Sequence, residues 1–318
     1  MSQGRILVIR GGAIGDFILT LPILSALKDR LPGARLELLG YPHVAALAVW
    51  GGLADAVHPI EARAMAGFFA QNGRLDPALS EFFEGFHLII SFLFDPDEFF
   101  FNNLRAVTSA QILRGIHRPN DSLPEHATLQ LLKALEMLAI VDADPQPRLN
   151  RVPPSNGNHK YLPPASSAPL RLAIHPGSGS DKKNWSERHW MEILNRIRDQ
   201  TDWHCRIIGG EAEGDRVERL ASNLPSNRVQ VHRQRPLIEV AQALQDSAFL
   251  IGHDSGISHL SAAVGTPGIA LWGPTSAAVW RPYHPDWRII KNPGGIEAID
   301  PEVVWDAILE QVKTVSAP

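Results

Sequence analysis

The chain has 318 residues, 44% of them hydrophobic and 20% charged, which predicts two globular domains that each bury an apolar core. A formal net charge of -4 argues against a general nucleic-acid-binding protein, because such proteins are usually basic. A single cysteine, Cys205, allows neither an intrachain disulfide nor a thiolate metal cage, and it fits a reducing compartment. We therefore expect a cytoplasmic protein. No apolar run approaches the ~20 residues of a membrane span, so any membrane contact is expected to be peripheral.

The first half of the chain opens with a strand, a glycine turn and a helix. Residues 5–10 form a short apolar run that is typical of a buried strand, and Gly11, Gly12 and Gly15 follow it. Residues 16–31 show apolar periodicity, which predicts a helix that either kinks at Pro22 or begins near it. Three more elements are predicted in this half: strands at 34–39 and 87–94, and a helix at 123–140.

Composition changes at residues 144–169, where prolines alternate with serine, asparagine and glycine. This segment predicts an interdomain linker, with an acceptor-side domain at 1–155 and a donor-binding domain at 156–318. After it, the chain alternates between strands at 170–175, 203–208, 229–232, 248–252 and 268–272 and helices at 186–200, 214–224, 236–246, 257–264 and 301–312. The last helix is assigned to the second domain, with packing back onto the first domain as an alternative.

Strands that alternate with helices predict a doubly wound parallel sheet in each domain. The fold class is therefore α/β, with two Rossmann-like lobes that are expected to face each other across a cleft. Ligands of such sheets bind beyond the carboxyl ends of the strands, so the loops that follow strands are the candidate sites.

The first of these loops contains Gly11 and Gly12 and ends at Asp16. Its glycine spacing differs from the GxGxxG turn of dinucleotide-binding proteins, and a carboxylate at the helix start would repel a bound phosphate. Two interpretations of Asp16 stay open at this point. Its local sequence favours a helix cap, whereas an ionised carboxylate in a cleft can also accept a proton.

Three loops of the second half suit a ligand that carries phosphate. Residues 175–185 place hydroxyls and two lysines between a strand and a helix, without the spacing of a Walker loop. Residues 252–259 deliver Asp254 at a strand end and open a helix at Ser255 and Gly256, whose N–H groups can bind a diphosphate. Residues 272–275 form a tight turn with a hydroxyl.

Two other patterns superficially suggest metal sites. Asp95-Pro96-Asp97 fits a DxD motif, but its position after an apolar run favours a turn that ends a strand. His253 and His259 are six residues apart, which does not match the spacing of a zinc-binding HExxH pair. No metal site is predicted.

In this order, the segments resemble glycosyltransferase family 9, the ADP-heptose:lipopolysaccharide heptosyltransferases. The resemblance rests on the stretches RGGAIGDFILTLP, HPGSGSDKKNW, GGEAEGD and GHDSGISHLSAAVGTPGIALWGPT, and it extends from about residue 5 to about residue 285. It implies a GT-B architecture and a metal-independent inverting enzyme without a cofactor. The implied substrates are an ADP-linked sugar and a lipid-linked glycan, with the enzyme in the cytoplasm or peripheral at the inner membrane.

The resemblance also implies roles for individual residues. Asp16 matches the general base, and Gly11, Gly12 and Arg63 fall on the acceptor side. Lys183, two residues before the tryptophan, matches the donor-binding lysine, whereas Lys182 does not. The other residues implied to bind the donor are Ser178, Glu213, Asp254, Ser255, Gly256, His259 and Thr275.

The chain departs from lipopolysaccharide heptosyltransferases of the first kind on its acceptor side. Leu19 stands where those enzymes carry a histidine, and a lone Arg63 stands in a region where they are rich in Arg and Lys. Eleven of the 12 phenylalanines lie between residues 17 and 101. We expect most of them in the core and the rest in an apolar acceptor groove or a membrane-facing patch.

Three alternatives to heptose transfer remain at this point. One is transfer of a different sugar to another glycan. Another is an NAD(P)-dependent oxidoreductase, against which the glycine spacing and Asp16 count. The last is a nucleotide-sugar-binding protein without activity, against which a carboxylate suited to act as a base counts.

Overall fold

The computed structural model describes residues 3–149 and 169–316, and the chain divides into two compact units, Met1–Arg151 and Val152–Pro318. The predicted domain boundary between residues 155 and 156 lies outside the described residues, as does most of the predicted linker.

The first unit is a parallel sheet covered by helices. Its strands are β1 (Arg5–Arg10), β2 (Arg35–Gly40), β3 (Ala56–Pro59), β4 (Leu88–Ser91) and β5 (Gln111–Arg114), and within residues 3–149 they form one sheet in the order β3-β2-β1-β4-β5. Its α-helices are α1 (Ile14–Ile18), α2 (Leu21–Arg30), α3 (Pro42–Trp50), α4 (Pro77–Glu84), α5 (Phe99–Val107) and α6 (Ala127–Leu132). Two 3-10 helices span Arg63–Phe69 and Lys133–Leu138.

The strand predicted at 5–10 is confirmed, and the helix predicted at 16–31 is two helices. Pro22 is the second residue of α2, where a missing N–H costs nothing because the first turn has no intrahelical acceptor for it. The helix predicted at 123–140 is shorter than expected, because α6 begins at Ala127 and continues as a 3-10 helix.

The second unit is built on a six-stranded parallel sheet in the order β11-β10-β9-β6-β7-β8. The strands are β6 (Arg171–Ile174), β7 (His204–Gly209), β8 (Val229–Arg233), β9 (Phe249–His253), β10 (Gly268–Trp272) and β11 (Trp287–Lys291). The α-helices are α7 (Glu187–Gln200), α8 (Arg216–Ala221), α9 (Leu237–Gln245), α10 (Gly256–Ala263), α11 (Ala277–Trp280) and α12 (Pro301–Val315), and two 3-10 helices span Asp181–Lys183 and Ile296–Ala298. Every strand predicted in this half is present with its ends within one residue of the prediction; β11 and α11 were not predicted.

Both sheets have a point at which the strand order reverses. In the first unit the chain runs from β1 outward to β3 and returns on the other side of β1 with β4. In the second unit it runs from β6 outward to β8 and returns beside β6 with β9. At such switch points two neighbouring loops leave the sheet in opposite directions, which opens a crevice at the carboxyl ends of the strands.

Each unit buries its own apolar core. In the first unit, six of the eleven phenylalanines between residues 17 and 101 are buried, which confirms that most of them are core residues. Phe94 is 67% exposed and Phe69 is 43% exposed. In the second unit, α12 contributes Val304, Trp305 and Ile308 to the core around α7 and the sheet.

Cys205 lies on β7 in the core of the second unit and is 1% exposed. Burial raises the pKa of its thiol to about 12, and the charge of Arg228 opposes that rise. In the parts of the chain that the structure describes, no helix combines the length and apolarity needed to cross a bilayer.

Candidate functional site

The switch point of the first unit carries the glycine turn that the sequence singled out. Gly12 has a φ of 103°, in the region that side chains disfavour. A Cβ atom on Gly12 would also lie 3.0 Å from Oδ2 of Asp16. The turn therefore requires glycine at residue 12. Without a side chain there, the carboxylate of Asp16 can lie directly against the backbone of the turn that follows β1.

Asp16 lies in the first turn of α1, where its Oδ2 accepts a hydrogen bond from the N–H of Ala13 at 3.1 Å. This bond satisfies a donor at the helix start, so the helix-cap interpretation has a structural basis. The side chain is also 35% exposed, so solvent and ligands can reach it. A carboxylate with this exposure can cap α1 and accept a proton, and its role as base stays a prediction.

Arg10 is a site residue that the sequence reasoning missed. Its guanidinium is buried and donates to the carbonyl oxygens of His117 at 2.8 Å, of Phe92 at 3.4 Å and of Asp16 at 3.3 Å. Its Nη2 lies 3.7 Å from Oδ1 of Asp16. Burial lowers the pKa of Arg10, and the negative charge of Asp16 partly offsets this. Arg10 thus ties the Asp16 turn to the loops that follow β4 and β5.

The other acceptor-side predictions occupy different positions. Gly11 and Gly12 belong to the turn beneath Asp16, whereas Arg63 is exposed at the start of the 3-10 helix that follows the edge strand β3. β2 separates β3 from β1, so Arg63 lies on the carboxyl edge of the same sheet but two strands away. Leu19 is 2% exposed, so its side chain packs in the core.

In the second unit, three predicted donor residues meet at one oxygen atom. Oδ2 of Asp254 lies 2.6 Å from Nζ of Lys183 and accepts a hydrogen bond from the hydroxyl of Thr275 at 2.6 Å. The three residues follow β6, β9 and β10, which are neighbours in the sheet. The side chain of Asp254 is 7% exposed and that of Lys183 is 28% exposed, so the ammonium is the reachable charge of this cluster.

The N-terminus of α10 lies directly after Asp254. Ser255 is the N-cap, and its hydroxyl accepts a hydrogen bond from the N–H of Ser258 at 3.4 Å and lies 3.2 Å from Nδ1 of His175. Gly256 is the first residue of α10, and His259 is buried one turn further on. The unpaired N–H groups of a first helical turn attract anions, so this end of α10 suits a phosphate.

Glu213 and Ser178 make contacts within the protein. Glu213 is buried, accepts a hydrogen bond from the N–H of Gly210 at 2.5 Å and lies 3.8 Å from Nε2 of His175. A Cβ on Gly177 would lie 1.9 Å from Oε1 of Glu213, so the loop after β6 packs directly on this carboxylate. The hydroxyl of Ser178 donates to the carbonyl oxygen of Ser180 at 2.8 Å and shapes the same loop. Their predicted contacts with a donor stay predictions.

The two patterns that suggested metal sites have other partners. Oδ1 and Oδ2 of Asp95 accept hydrogen bonds from the N–H groups of Phe100 and Phe101 at 3.2 and 2.9 Å, so Asp95 holds the start of α5. The turn predicted here is present at residues 96–97, but the strand predicted at 87–94 is shorter, because β4 ends at Ser91. His253 uses both ring nitrogens in contacts with the backbone. Across residues 3–149 and 169–316, no group of three or more His, Cys, Asp or Glu side chains could hold a metal ion.

The family model described as glycosyltransferase family 9 (heptosyltransferase) matches residues 126–299, more than half of the chain. The chain belongs to glycosyltransferase family 9. Among curated family members, lipopolysaccharide heptosyltransferase 1 of Escherichia coli O18:K1:H7 is 29% identical over 131 residues, or 41% of this chain and 39% of that protein. Lipopolysaccharide heptosyltransferase 3 of Escherichia coli is 22% identical over 292 residues, or 85% and 83% of the two chains. The match to heptosyltransferase 1 thus spans about two fifths of its length.

Solved structures of the family confirm the predicted α/β fold of the GT-B type. The E. coli heptosyltransferase WaaC with ADP has a TM-score of 0.73 at 19% identity, covering 96% of this chain and 99% of that one. The family 9 glycosyl transferase from Veillonella parvula DSM 2008 has a TM-score of 0.73 at 16% identity, covering 98% of each chain. Family membership counts against the oxidoreductase alternative.

Proposed function

We propose that this chain is an inverting, metal-independent glycosyltransferase that moves a heptose from an ADP-linked donor to a lipopolysaccharide-type, lipid-linked acceptor. The observation that carries the proposal is the cluster of Lys183, Asp254 and Thr275 beside the first turn of α10. It combines a reachable ammonium, helix N–H groups and a carboxylate. Together these match the diphosphate and the sugar hydroxyls of a nucleotide sugar.

The names and bound ligands of the relatives support the choice of substrates. E. coli WaaC was solved with ADP and with ADP-2-deoxy-2-fluoro heptose, and the matching curated proteins are lipopolysaccharide heptosyltransferases. For this chain, the adenine base, the heptose and the lipid-linked acceptor are parts of the proposal. A place in the cytoplasm, with peripheral contact at the inner membrane, follows from the same proposed acceptor.

The proposed reaction is a single displacement. The acceptor hydroxyl oxygen attacks the anomeric carbon and forms the new C–O bond, while the bond from that carbon to the diphosphate oxygen breaks and its electron pair leaves with ADP. Asp16 takes the hydroxyl proton as general base. Attack from the face opposite the leaving group inverts the anomeric configuration.

Charge grows on the departing diphosphate, and the second unit offers two sources of stabilisation. One is the ammonium of Lys183, which pairs with Asp254 at the carboxyl ends of β6 and β9. The other is the first turn of α10, which begins two residues after Asp254 and whose backbone N–H groups point out of the N-terminal end of the helix. Groups fixed before the reaction stabilise developing charge without reorganising. We propose that these groups do the work that a divalent cation does in metal-dependent glycosyltransferases.

The proposal is tested first by binding and then by transfer. In a thermal-shift screen, ADP and ADP-heptose are expected to raise the melting temperature, since a ligand at 100 times its Kd stabilises by about 2.7 kcal/mol. UDP and NAD⁺ serve as matched controls and are expected to have little effect. A stronger response to NAD⁺ or UDP than to ADP would reject the proposed donor.

Transfer is then measured with the selected donor in EDTA, and the anomeric configuration of the product is read by NMR. We expect an unchanged rate and the inverted anomer. A rate that falls in EDTA and recovers with Mg²⁺ or Mn²⁺ would reject metal independence, and a retained configuration would reject single displacement.

A further inference from the structure

His253 occupies an unusual place in the second unit. It is the last residue of β9, it is 0% exposed, and it directly precedes Asp254. Its ring packs edge-to-face against Trp190, with the centroids 5.5 Å apart. The proposed reaction assigns no task to this side chain.

The two ring nitrogens of His253 contact the two ends of one loop. Nε2 lies 3.0 Å from the backbone N of Trp185, and Nδ1 lies 3.1 Å from the carbonyl oxygen of Gly177. A backbone N–H can only donate and a carbonyl can only accept. Both bonds therefore form together when the ring is neutral and its proton is on Nδ1.

The loop held in this way, residues 177–185, carries the proposed donor-binding groups. Ser178 and Lys183 lie between the two attachment points, and Lys183 reaches Asp254, the residue next to the histidine. Gly179 is exposed, and a Cβ there would meet nothing within 4 Å, while the residues that follow, Asp181–Lys183, form a 3-10 helix. The bonds at the two ends therefore restrict where the ammonium can lie.

The neutral ring persists at ordinary pH. The pKa of His253 is lowered to about 3, mainly by burial and also by the charges of His175 and Arg216, while the hydrogen bond to Gly177 and the charge of Asp254 oppose this shift. Protonation would place a second donor on Nε2, facing the N–H of Trp185. Full burial prevents this and keeps both bonds in place.

We infer that His253 is a positioning residue that fastens both ends of the loop at residues 177–185 and so presents Lys183 to the diphosphate of the donor. The second part of this inference, that Lys183 is presented to the donor diphosphate, rests on the proposed function. The fastening itself belongs to the ligand-free protein, so the two halves can be tested separately.

The fastening is tested by hydrogen exchange without any ligand. His253→Leu keeps an apolar side chain of similar size and removes both bonds, so exchange of the Trp185 amide is expected to accelerate at least tenfold. His253→Gln retains one acceptor and one donor and is expected to restore much of the protection. Thr266→Val is the matched control, because it removes one buried bond, to the carbonyl oxygen of Leu244, near the start of β10. Equal protection of Trp185 in His253→Leu and wild type would overturn the inference.

The link to the donor is tested by a double-mutant cycle on ADP affinity. His253→Leu is expected to weaken ADP binding about 10- to 100-fold, because the loss of both hydrogen bonds releases the loop that positions Lys183. Adding Lys183→Ala should then cost much less than it costs in the wild type, because the ammonium is no longer held in place. Additive losses would show that His253 acts on general stability and would overturn the positioning role.

Failure of the proposed function has a different signature. A wild-type protein that binds no nucleotide sugar would reject that function while leaving the hydrogen-exchange result intact. Should His253→Leu fail to fold, the same cycle is run with His253→Gln. In that case near-wild-type affinity is the expected result, and a loss as large as that of Lys183→Ala would reject the inference.

Discussion

The Asp16 turn of the first unit and the Lys183 cluster of the second lie at equivalent switch points but are built differently. Asp16 is one partly exposed carboxylate that a glycine turn presents, with the buried Arg10 beneath it. The second site gathers side chains from three loops and pairs its charges internally, with Lys183 and Thr275 on one oxygen of Asp254.

This difference bears on how each site can respond to a ligand. A hydroxyl that approaches Asp16 meets a carboxylate with solvent-exposed surface. A diphosphate that approaches Lys183 competes with Asp254 for the same ammonium, although an ammonium has three N–H donors and can serve both. Mutations in the first site should therefore slow turnover with little change in ADP affinity, whereas those in the second should weaken ADP binding as well as slow transfer.

The largest effect is expected for Asp16→Asn. The amide keeps the size of the side chain and some capping ability but cannot accept the proton of the acceptor. Turnover should fall roughly 100- to 10,000-fold, with ADP affinity little changed. If Asp16 were only a helix cap, the variant would lose about 1 kcal/mol or less of stability and turn over normally. Melting temperature, ADP affinity and turnover of this one variant decide between the two roles.

A smaller effect is expected for Lys183→Ala, which should weaken ADP binding and slow transfer. Hydrogen bonds to charged groups contribute about 1.5–3 kcal/mol, so ADP binding should weaken about 10- to 100-fold. Lys182→Ala, which changes the exposed neighbouring lysine, is the matched control and should have little effect. Equal losses in the two variants would show that the spacing to the tryptophan selected the wrong lysine.

The pairing with Asp254 sharpens this test. Lys183→Ala leaves the buried Asp254 without that ammonium, so the loss of attraction is accompanied by repulsion of the diphosphate. Adding Asp254→Asn to Lys183→Ala should therefore recover part of the ADP affinity. A further loss in the double variant would contradict the idea that the two charges balance each other.

The smallest effects are expected in the pH dependence of the free energy of unfolding. The two units should lose stability in different pH ranges. Burial lowers the pKa of His175 to about 4 and is the main cause that lowers that of His253 to about 3, from an ordinary value of 6.5. The unfolded chain therefore takes up protons first as the pH falls below 6.5. The stability of the second unit should drop by up to about 1.4 kcal/mol per pH unit for each histidine.

The first unit should respond only at lower pH. Burial tends to raise the pKa of Glu37, but hydrogen bonds from His58 and Arg5 and the charge of Arg5 outweigh it and lower the pKa below 4.5. Its contribution to stability is thus present above pH 4.5 and lost as the pH falls through the lowered pKa. Hydrogen exchange measured unit by unit between pH 7 and 5 checks this order. Earlier loss of protection in the first unit would contradict it.

The sequence predicted the second unit better than the first, for physical reasons. Strands such as β9 and β10 are central and buried over their whole length, and clear turns separate them from the helices that follow. In the first unit, α3 is apolar on nearly all sides, so its sequence lacks a helical period, and β3 and β5 are four-residue edge strands. Short or uniformly apolar segments give a pattern too weak to assign.

The same limit applies to the sites. Asp16, Lys183 and Asp254 could be selected because each follows a predicted strand within a recognisable motif. The contacts of Arg10 join it to carbonyl groups 82 and 107 residues away, which no local pattern encodes. Its one sequence signal was a cation at the end of a strand that is apolar from Ile6 to Ile9, directly before a glycine turn.

The burial of Cys205 makes the protein convenient for fluorescence work. A thiol that is 1% exposed and has its pKa raised to about 12 stays protonated and out of reach of maleimide dyes at neutral pH. Since the sequence contains one cysteine, the natural chain already serves as an unlabelled background. A cysteine introduced at Gly179, where a Cβ meets open space, would therefore take a single dye on the loop that carries Lys183. Nucleotide binding and release could then be followed in real time, without first removing a native thiol from the core.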